Sequence, residues 1–490
     1  MTDVITVTEV ANLVGGENVP AADGAVAERY DPGDRRRLVA VAPDSTGRDA
    51  ELAVAAAVEA WPAWSRTSVT DRLAVLDRGL ARLEAASEEI AVATVLESGK
   101  TLEECRGEVV RAIATVRHQL AQAPQVVSRQ VFAEGGVLAR VDHVPAGVVV
   151  VITPWNFPFS ALLRKVVPAL AMGNAVVAKP SELSPVTAAW IGTALTAAGL
   201  PPGVLGVVHG RGGTVGTALV ADERVAAVSF TGSTRVGLSI AEQAGARDLK
   251  VQLEMGGKNP LVVLADADLD RAVADAVTGG FTAAGQWCVA TSRIVVEEPV
   301  AEELVRAFVA RVETLQVGHG LDPRAQMGAL VSREHRAKVM AALATAAAEA
   351  RVLTGGGALE DGDLRHGEFV RPTVVSEIPA GSSLLRDEIF GPVVAIQRAG
   401  SVDEAVALAD DTPYGLSASV YTRSRDSVAR FLAGVTTGKV IVNRPPSFGD
   451  ARVASSGRRD SGRGESEGAA AGLAFYAHER AVFLDDGLVP

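Results

Sequence analysis

The apolar stretch GVVVVIT, residues 147–153, decides how the fold is predicted. Residues 148–152 are all aliphatic, and a strand that is apolar on both faces is typical of a parallel sheet covered on both sides. The helical pattern LLRKVVPALAM, residues 162–172, follows this strand. Because strands that alternate with helices form βαβ units, the stretch predicts an α/β fold built on a parallel sheet.

The same alternation continues toward the carboxyl terminus, whereas the first 125 residues are predicted to be mostly helical after an irregular start. Helical segments separate further apolar strands, which are predicted at residues 174–179, 204–210, 226–230 and 251–257. A second alternating series begins after residue 257, and a polar stretch rich in Gly, Ser and Arg, residues 448–468, predicts a mobile loop. A chain of 490 residues is too long for one core, so more than one domain is expected.

The composition excludes several classes of partner. The formal net charge is −12, whereas nucleic acid and anionic membranes attract basic surfaces. The longest apolar run is too short to cross a bilayer, and the amino terminus lacks the pattern of a signal peptide. The two cysteines give no disulfide framework. We therefore expect a cytoplasmic protein that acts on a small molecule, with no nucleic-acid or membrane partner and no metal site.

One of the two cysteines, Cys288 in GQWCVATS (285–292), raises the question of a reactive thiol. Most intracellular cysteines are small apolar packing residues, and Cys105, within a predicted helix, is interpreted as a structural or surface thiol. A nucleophilic cysteine also needs a base and a donor that stabilises developing charge. The residues around Cys288 do not distinguish these roles, so partners must come from elsewhere in the chain.

Two stretches offer such partners. Glu254 ends an apolar strand in LEMGGKNP (253–260), where desolvation would raise the pKa of the carboxyl and suit it to general-base work. Asn156 in TPWNFP (153–158) offers an amide donor of the kind found in oxyanion holes. Each has a structural alternative, since the glutamate can simply reach solvent at a strand end and the asparagine can satisfy backbone groups of a turn.

Small residues after a strand indicate a phosphate site. In SFTGSTRVG (229–237) an apolar strand leads through Gly232 and Ser233 into a helix, and N–H groups at a helix start bind phosphate. Neither this stretch nor GRGGTVG (210–216) has the Gly-x-Gly-x-x-Gly pattern, so an ordinary strand-to-helix turn is the alternative.

A third stretch, AKPSE (178–182), also follows a buried strand, where ligands of such sheets bind. Glu182 there can bind ribose hydroxyls and repel a 2′-phosphate, whereas the positive charge of Lys179 can attract that phosphate. A solvated turn is the structural alternative. Together, a thiol, a carboxylate, an amide donor and a phosphate site in one α/β chain indicate nucleophilic catalysis with a nucleotide cofactor.

Eight motifs in this order resemble the NAD(P)-dependent aldehyde dehydrogenase superfamily. They are PWNFP (154–158), KPSE (179–182), FTGSTRVG (230–237), LEMGGKNP (253–260), GQWCVA (285–290), DEIFGPV (387–393), YGLSASV (414–420) and GKVIVN (438–443). The likeness covers roughly residues 25–480, and residues 251–270 look most like semialdehyde dehydrogenases such as 2-oxoglutarate semialdehyde dehydrogenase.

The resemblance implies an α/β subunit of three parts. A Rossmann-type NAD(P)-binding domain would comprise residues 1–122 and 146–256, and an α/β catalytic domain residues 257–450. A small β oligomerisation arm and the C-terminal segment would comprise residues 123–145 and 451–490. The resemblance also implies a homodimer or homotetramer, NAD as cofactor with NADP as the alternative, and a small-molecule aldehyde as substrate.

Catalytic roles are implied in the same way. Cys288 would attack the aldehyde carbon, and Asn156 with the backbone N–H of Cys288 would hold the oxyanion. Hydride transfer to the nicotinamide would leave a thioester, which Glu254 would hydrolyse by activating water. Lys165 matches a lysine that lies near the active site in the family.

Cofactor contacts follow from the same motifs. Glu388 and Phe390 match residues that hold the nicotinamide ribose and ring, and the carboxylate of Glu182 favours NAD over NADP. The full set of predicted cofactor residues is Thr153, Trp155, Lys179, Ser181, Glu182, Gly212, Gly232, Ser233, Glu388 and Phe390.

The substrate side departs from the family pattern. The family pattern Pro-Phe-Gly-Gly-x-Lys-x-Ser-Gly reads ASSGRRDSG at residues 454–462, and loss of the Phe, at Ser455, would loosen the wall of the substrate funnel. Arg164, Trp287 and Ser455 are the predicted substrate contacts. Arg164 matches an arginine of both succinate-semialdehyde and aryl-aldehyde enzymes, while Thr282 replaces a second arginine of the succinate enzymes. A semialdehyde or other polar aldehyde is therefore expected, with an aryl aldehyde, or a cofactor-binding homologue without turnover, as alternatives.

Overall fold

The structure, a computed structural model, describes residues 7–134 and 136–485. The strand Val148–Ile152 lies inside its first sheet, between parallel neighbours Val225–Thr231 and Ala175–Lys179. All residues of Val148–Ile152 are buried, as the apolar pattern predicts. The α/β fold with a parallel sheet core is thereby confirmed.

In the described part of the chain, eight strands form this first sheet, with helices on its two faces. In spatial order they are Gly462–Gly464, Lys250–Glu254, Val225–Thr231, Val148–Ile152, Ala175–Lys179, Leu205–Val207, Asn12–Val14 and Glu17–Val19. The helices of this half are Gly47–Arg66, Val69–Ala85, Ser87–Ser98, Leu102–Leu120, Ala123–Val127, Pro158–Ala171, Pro185–Ala197, Thr217–Ala221, Thr234–Gly245 and Ala469–Ala474.

A second, mostly parallel sheet carries the other half. Its strands, in spatial order, are Arg351–Thr354, Thr373–Ser376, Val393–Ala399, Arg293–Glu297, Pro260–Val263, Ser417–Tyr421 and Lys439–Val442. Its helices are Leu269–Phe281, Glu298–Glu313, Arg333–Glu349, Ser383–Arg386, Val402–Asp410 and Arg425–Gly434. Each half has its own large cluster of buried apolar side chains. The domain boundaries at residues 122, 146, 257 and 450 stay a prediction.

A separate antiparallel sheet projects from the first half. The hairpin Ser128–Glu134 and Val137–Pro145 pairs with the late strand Ala477–Asp485. Most side chains of the two outer strands are exposed, and they include Phe132 and Phe483. Two smaller sheets complete the fold: Thr8–Glu9, Asp34–Pro43 and Val26–Asp31, and Tyr414–Gly415 with Arg458–Arg459.

The prediction of a mobile loop for residues 448–468 is wrong in its second half. Gly462–Gly464 pairs with Lys250–Glu254, opposing Gly462 to Glu254. The N–H of Met255 also donates to the carbonyl of Ser461, at 2.8 Å. Composition misses this strand because its pairing is made by backbone groups, which are the same in any sequence. The segment therefore lies directly beside Glu254.

Helix caps also position the site. Thr101 and Glu104 form a capping box at the start of Leu102–Leu120. Cys105, on the same helix, is fully buried, as expected of a packing thiol. None of the helices in the described part of the chain has the length and apolar character that a bilayer crossing needs.

Candidate active site

One cavity of about 1110 Å³ is lined by residues from both halves of the chain. Among the predicted site residues, those that line it are Trp155, Asn156, Arg164, Gly232, Ser233, Glu254, Trp287, Cys288, Glu388, Phe390 and Ser455. The structure thus brings the predicted thiol, carboxylate and amide together with part of the predicted cofactor site. No group of three His, Cys, Asp or Glu side chains within residues 7–134 and 136–485 is placed to hold a metal ion.

A strained turn leads into Cys288. Ala283 and Ala284 have φ angles of 53° and 55°, a region that residues other than glycine rarely adopt. Gly285 follows at φ 70°, and a Cβ there would lie 2.2 Å from the carbonyl oxygen of Gly391. The N–H of Ala283 donates to Oε1 of Glu104, at 2.7 Å. Surrounding contacts therefore hold this backbone in an unfavourable conformation, which is typical of a functional site.

Hydrogen bonds fix both sides of the Cys288 turn. The amide of Asn156, which is 6% exposed, donates through Nδ2 to the carbonyl of Gln286, at 2.9 Å. Oε1 of the buried Gln286 side chain accepts from the N–H of Val331, at 2.9 Å. The carbonyl of Cys288 accepts from Nδ2 of Asn259, at 2.8 Å. Asn156 therefore touches the turn that contains Cys288 and lines the same cavity.

Burial raises the pKa of the Cys288 thiol to about 12. The negative charges of Glu388 and Glu254 also raise this pKa, whereas the positive charge of Lys439 lowers it. Cys288 is partly exposed to the cavity and carries no disulfide. The thiol is therefore accessible, and its ionisation depends on the charges around it.

Glu254 contributes a partly buried carboxyl to the cavity. It ends the strand Lys250–Glu254, and burial raises the pKa of its carboxyl to about 7, with Glu467 raising it further. One carboxyl oxygen, Oε1, is buried without a hydrogen-bond partner, and Oε2 accepts from the N–H of Gly457 at 3.4 Å. A carboxylate with a pKa near neutrality and a free oxygen can take a proton from water.

Lys165 lies behind the cavity wall rather than in it. Its Nζ is fully buried and donates to Oγ of Ser229 at 3.1 Å and to Oε2 of Glu467 at 3.4 Å. Glu467 lines the cavity and also approaches Nη2 of Arg164, at 3.7 Å. Burial raises the pKa of the Glu467 carboxyl, but the positive charges of Lys165 and Arg164 lower it more, so that it lies below its usual value. Sequence patterns missed Glu467, which stands in the polar stretch without any motif.

The cavity lining also includes the start of a helix and aromatic rings. Gly232 and Ser233 precede the helix Thr234–Gly245, and the Ser233 side chain makes no capping hydrogen bond. The first N–H groups of this helix are thus available to an anion. The Trp155 ring packs edge-on against His335 at 5.2 Å and Phe390 at 5.5 Å.

Glu388 contributes a further carboxyl to the cavity lining. Its Oε1 accepts from the N–H of Gly257 at 2.9 Å, and burial raises the pKa of the carboxyl to about 7. A Cβ at Gly256 would lie 2.1 Å from Oε2 of Glu388, so a larger residue at that position would displace this carboxylate. The carboxylate faces a cavity that has both an anion site and aromatic rings, which fits the ribose of a dinucleotide.

Five predicted cofactor residues lie outside the cavity lining: Thr153, Lys179, Ser181, Glu182 and Gly212. The nearly buried Lys179 donates through Nζ to the carbonyls of Pro180 at 2.7 Å and Gly210 at 2.9 Å. Glu182 is exposed, with Oε2 3.5 Å from Nζ of Lys179. Thr153 and Ser181 are buried, and Gly212 begins a short π-helical turn in which a Cβ would meet open space.

The rings of Trp287 and Phe157 and the segment around Ser455 also line the cavity. Trp287 and Phe157 have ring centroids 5.2 Å apart. Ser455 exchanges two backbone hydrogen bonds with Glu467, each 3.1 Å long, so the altered family segment is held in place. Arg459 pairs with Asp410 at 2.6 Å, and neither it nor Arg458 lines the cavity. Arg111, Lys439 and His335 do line it, although sequence reasoning did not assign them a role.

Comparisons with known proteins agree with this arrangement. The profile of the aldehyde dehydrogenase family matches residues 19–482. The chain is 35% identical over 475 residues to an alpha-ketoglutaric semialdehyde dehydrogenase of Bacillus subtilis, covering 96% of this chain and 97% of that protein. It is 37% identical over 477 residues to an alpha-ketoglutarate semialdehyde dehydrogenase of Haloferax volcanii, covering 96% of this chain and 98% of that protein.

Two solved structures are similar throughout. The structure of 3,6-anhydro-L-galactose dehydrogenase in complex with NAP matches with a TM-score of 0.93 at 32% identity, covering 97% of this chain and 100% of that one. The structure of betaine aldehyde dehydrogenase from Staphylococcus aureus in complex with NAD+ matches with a TM-score of 0.93 at 29% identity, covering 98% of this chain and 96% of that one.

Proposed function

Because this chain belongs to the aldehyde dehydrogenase family and is an NAD(P)-dependent aldehyde oxidoreductase, we propose that it oxidises a carboxylate-bearing aldehyde through a thioester on Cys288. One observation carries this proposal. Cys288, Glu254 and Asn156 converge on one cavity that also contains a free helix start and the Trp155–Phe390 ring pair.

The first step is addition of the Cys288 thiolate to the aldehyde carbon. A C–S bond forms while the carbonyl π electrons move onto oxygen. The second hydrogen of the Asn156 amide and the N–H of Cys288 then donate to this oxyanion, which lowers the barrier to its formation. When bound, NAD(P)+ supplies the hydride acceptor that converts this adduct to a thioester.

Hydrolysis then depends on Glu254. Its free Oε1 accepts a proton from a water molecule, whose oxygen adds to the thioester carbonyl. The C–S bond breaks, the product leaves as a carboxylic acid, and the electrons of the bond return to Cys288 as a thiolate. The net change is an aldehyde, water and NAD(P)+ converted to the acid, NAD(P)H and a proton.

The chain's own residues fit a dinucleotide. The uncapped start of Thr234–Gly245 would receive the pyrophosphate, and Glu388 would bind the nicotinamide ribose while Phe390 and Trp155 pack against the ring. Lys179 and Glu182 would then meet the adenosine ribose.

The exposed carboxylate of Glu182 makes NAD the preferred cofactor, since it would repel a 2′-phosphate. We expect Glu182→Gln to raise kcat/KM for NADP+ about tenfold relative to NAD+, because removing one nearby like charge is worth about 1.4 kcal/mol. Initial rates with both cofactors measure the ratio. Glu223→Gln, an exposed surface change, is the matched control. An unchanged ratio in Glu182→Gln would remove this residue from cofactor selection.

A semialdehyde is the substrate class that the cavity supports best. Arg164 and Arg111 line the cavity, and Arg111 is exposed on the helix Leu102–Leu120. The names of the relatives in Bacillus subtilis and Haloferax volcanii point to the same class. The adjacent rings of Trp287 and Phe157, tilted at 43° to each other, make an aryl aldehyde the second candidate.

NADH formation with a panel of aldehydes tests this proposal. We expect Arg164→Met to lower kcat/KM for 2-oxoglutarate semialdehyde and succinate semialdehyde about tenfold or more, because a charge-assisted hydrogen bond is lost. The neutral aldehyde butanal is the control and should change far less. An equal loss for charged and neutral aldehydes would contradict carboxylate binding by Arg164, and inertness toward the whole panel would favour a cofactor-binding protein without turnover.

We infer that subunits join into a homodimer or homotetramer through the antiparallel sheet of Ser128–Glu134, Val137–Pro145 and Ala477–Asp485. The exposed rings of Phe132 and Phe483, together with Val131, lie on its outer strands. Large apolar side chains exposed close together are typical of protein–protein contact surfaces.

A further inference from the structure

Lys439 presents an unpaired positive charge to the cavity that holds Cys288. It begins the strand Lys439–Val442, which pairs in parallel with Ser417–Tyr421. Its side chain lines the cavity, and within residues 7–134 and 136–485 its ammonium forms no hydrogen bond and no ion pair. A Cβ on Gly449 would lie 4.0 Å from Nζ, so the segment that follows the strand leaves room around this group.

The other lysine and arginine residues of the cavity lining differ from Lys439, because Arg164 and Lys338 are paired and Arg111 is exposed. Arg164 has Glu467 as a partner at 3.7 Å, and Lys338 is paired with Glu334 at 2.9 Å. A half-buried ammonium without a carboxylate partner is unusual, because burial of a charge is costly unless another charge or a polar group compensates it.

The charges that face Cys288 come from several elements. Glu254 ends a strand of the first sheet, and Glu388 follows the short helix Ser383–Arg386. Both carboxylates disfavour the thiolate, as does burial, while Lys439 favours it. The relation is reciprocal: burial lowers the pKa of Lys439, Cys288 and Glu254 raise it, and Arg164 lowers it. The fold places Lys439 beside the Cys288 turn: Ser417, its partner in the sheet, donates its N–H to Oδ1 of Asn259 at 3.2 Å, and the Asn259 amide donates to the carbonyl of Cys288 at 2.8 Å.

We propose that the Lys439 ammonium is the counter-charge that stabilises the Cys288 thiolate before an aldehyde binds. The thiol proton leaves to solvent, and the resulting anion–cation pair satisfies an ammonium that is otherwise unpaired. Lys439 thus acts through Cys288 and is a positioning residue for its charge. This inference deepens the proposed function, since it takes Cys288 as the reactive thiol, but its test needs no aldehyde.

The test is the rate of alkylation of Cys288 by iodoacetamide from pH 6 to 10, measured on the full chain by peptide mass spectrometry. The reagent is neutral, so Lys439 does not attract it directly. We expect Lys439→Met to lower the rate about tenfold, displacing the pH profile upward by about one unit, as loss of a nearby opposite charge predicts. Lys439→Arg keeps the charge and should restore the wild-type profile. Lys338→Met, which removes a paired lysine of the same cavity, should leave the rate unchanged.

Two results would overturn the proposal. The first is an unchanged alkylation profile in Lys439→Met; if it comes with a raised KM for semialdehydes only, Lys439 belongs to binding of the substrate carboxylate. The second is equal slowing in Lys439→Met and Lys439→Arg, which would indicate a packing effect rather than charge. If the wild-type chain alkylates as expected but oxidises no aldehyde, the proposed function fails while this inference stands.

Discussion

Replacing Cys288 by alanine is expected to abolish aldehyde oxidation, with kcat/KM falling by about 10⁴- to 10⁶-fold, as in other enzymes that lose their nucleophile. No other thiol can substitute, because Cys105, the second cysteine, is fully buried. The formation of NADH from an aldehyde measures the loss.

Cys105→Ala is the matched control for this change. It removes a thiol that serves only packing, so kcat/KM should stay within a few-fold of wild type. NAD+ binding to Cys288→Ala, measured by calorimetry, should persist and would show that the cavity is intact. Substantial turnover in Cys288→Ala would contradict covalent catalysis at this residue.

Glu254→Gln is expected to separate the two halves of the reaction. One equivalent of NADH per active site should form in a rapid burst, after which steady-state turnover should be about 10²- to 10⁴-fold slower, the usual contribution of a general base. The reason is that glutamine cannot take the proton of the hydrolytic water. Stopped-flow absorbance measures both phases.

The pH dependence gives a second readout for Glu254. Since burial raises its pKa to about 7, the carboxyl becomes protonated as the pH falls through 7 and can no longer act as a base. Steady-state turnover of the wild type should therefore decline below pH 7, and Glu254→Gln should lack this decline. Glu465→Gln, which removes an exposed carboxylate paired with Lys250 at 3.2 Å, is the control. An absent burst with unchanged turnover would remove Glu254 from this role.

Local sequence patterns predict the fold and the reacting groups. The aliphatic run at residues 148–152 suffices to predict a buried parallel strand, because both faces of such a strand are apolar and neither is suited to contact with water. Cys288, Glu254 and Asn156 each stand in a short motif at a strand end or turn, where side chains of neighbouring strands converge. Their common cavity is lined by residues of both halves and therefore depends on how the two sheets are arranged.

The supporting residues are not predictable in this way because they act across long sequence separations. Glu104 accepts from the backbone of Ala283, 179 positions away, and Glu467 accepts from Lys165, 302 positions away. Neither contact leaves a local pattern. Lys439 stands inside a recognised motif, yet only the fold shows that its ammonium has no partner within the described residues and that it lines the same cavity as Cys288.

The central claim is that Cys288 carries the acyl group between oxidation and hydrolysis. Glu254→Gln, mixed with NAD+ and succinate semialdehyde and quenched in acid, should accumulate this thioester. Peptide mass spectrometry should then find the added mass of one acyl group on the peptide that contains Cys288, and hydroxylamine should remove it. A chain that forms NADH without an adduct on Cys288, or with the adduct on another residue, would contradict the account.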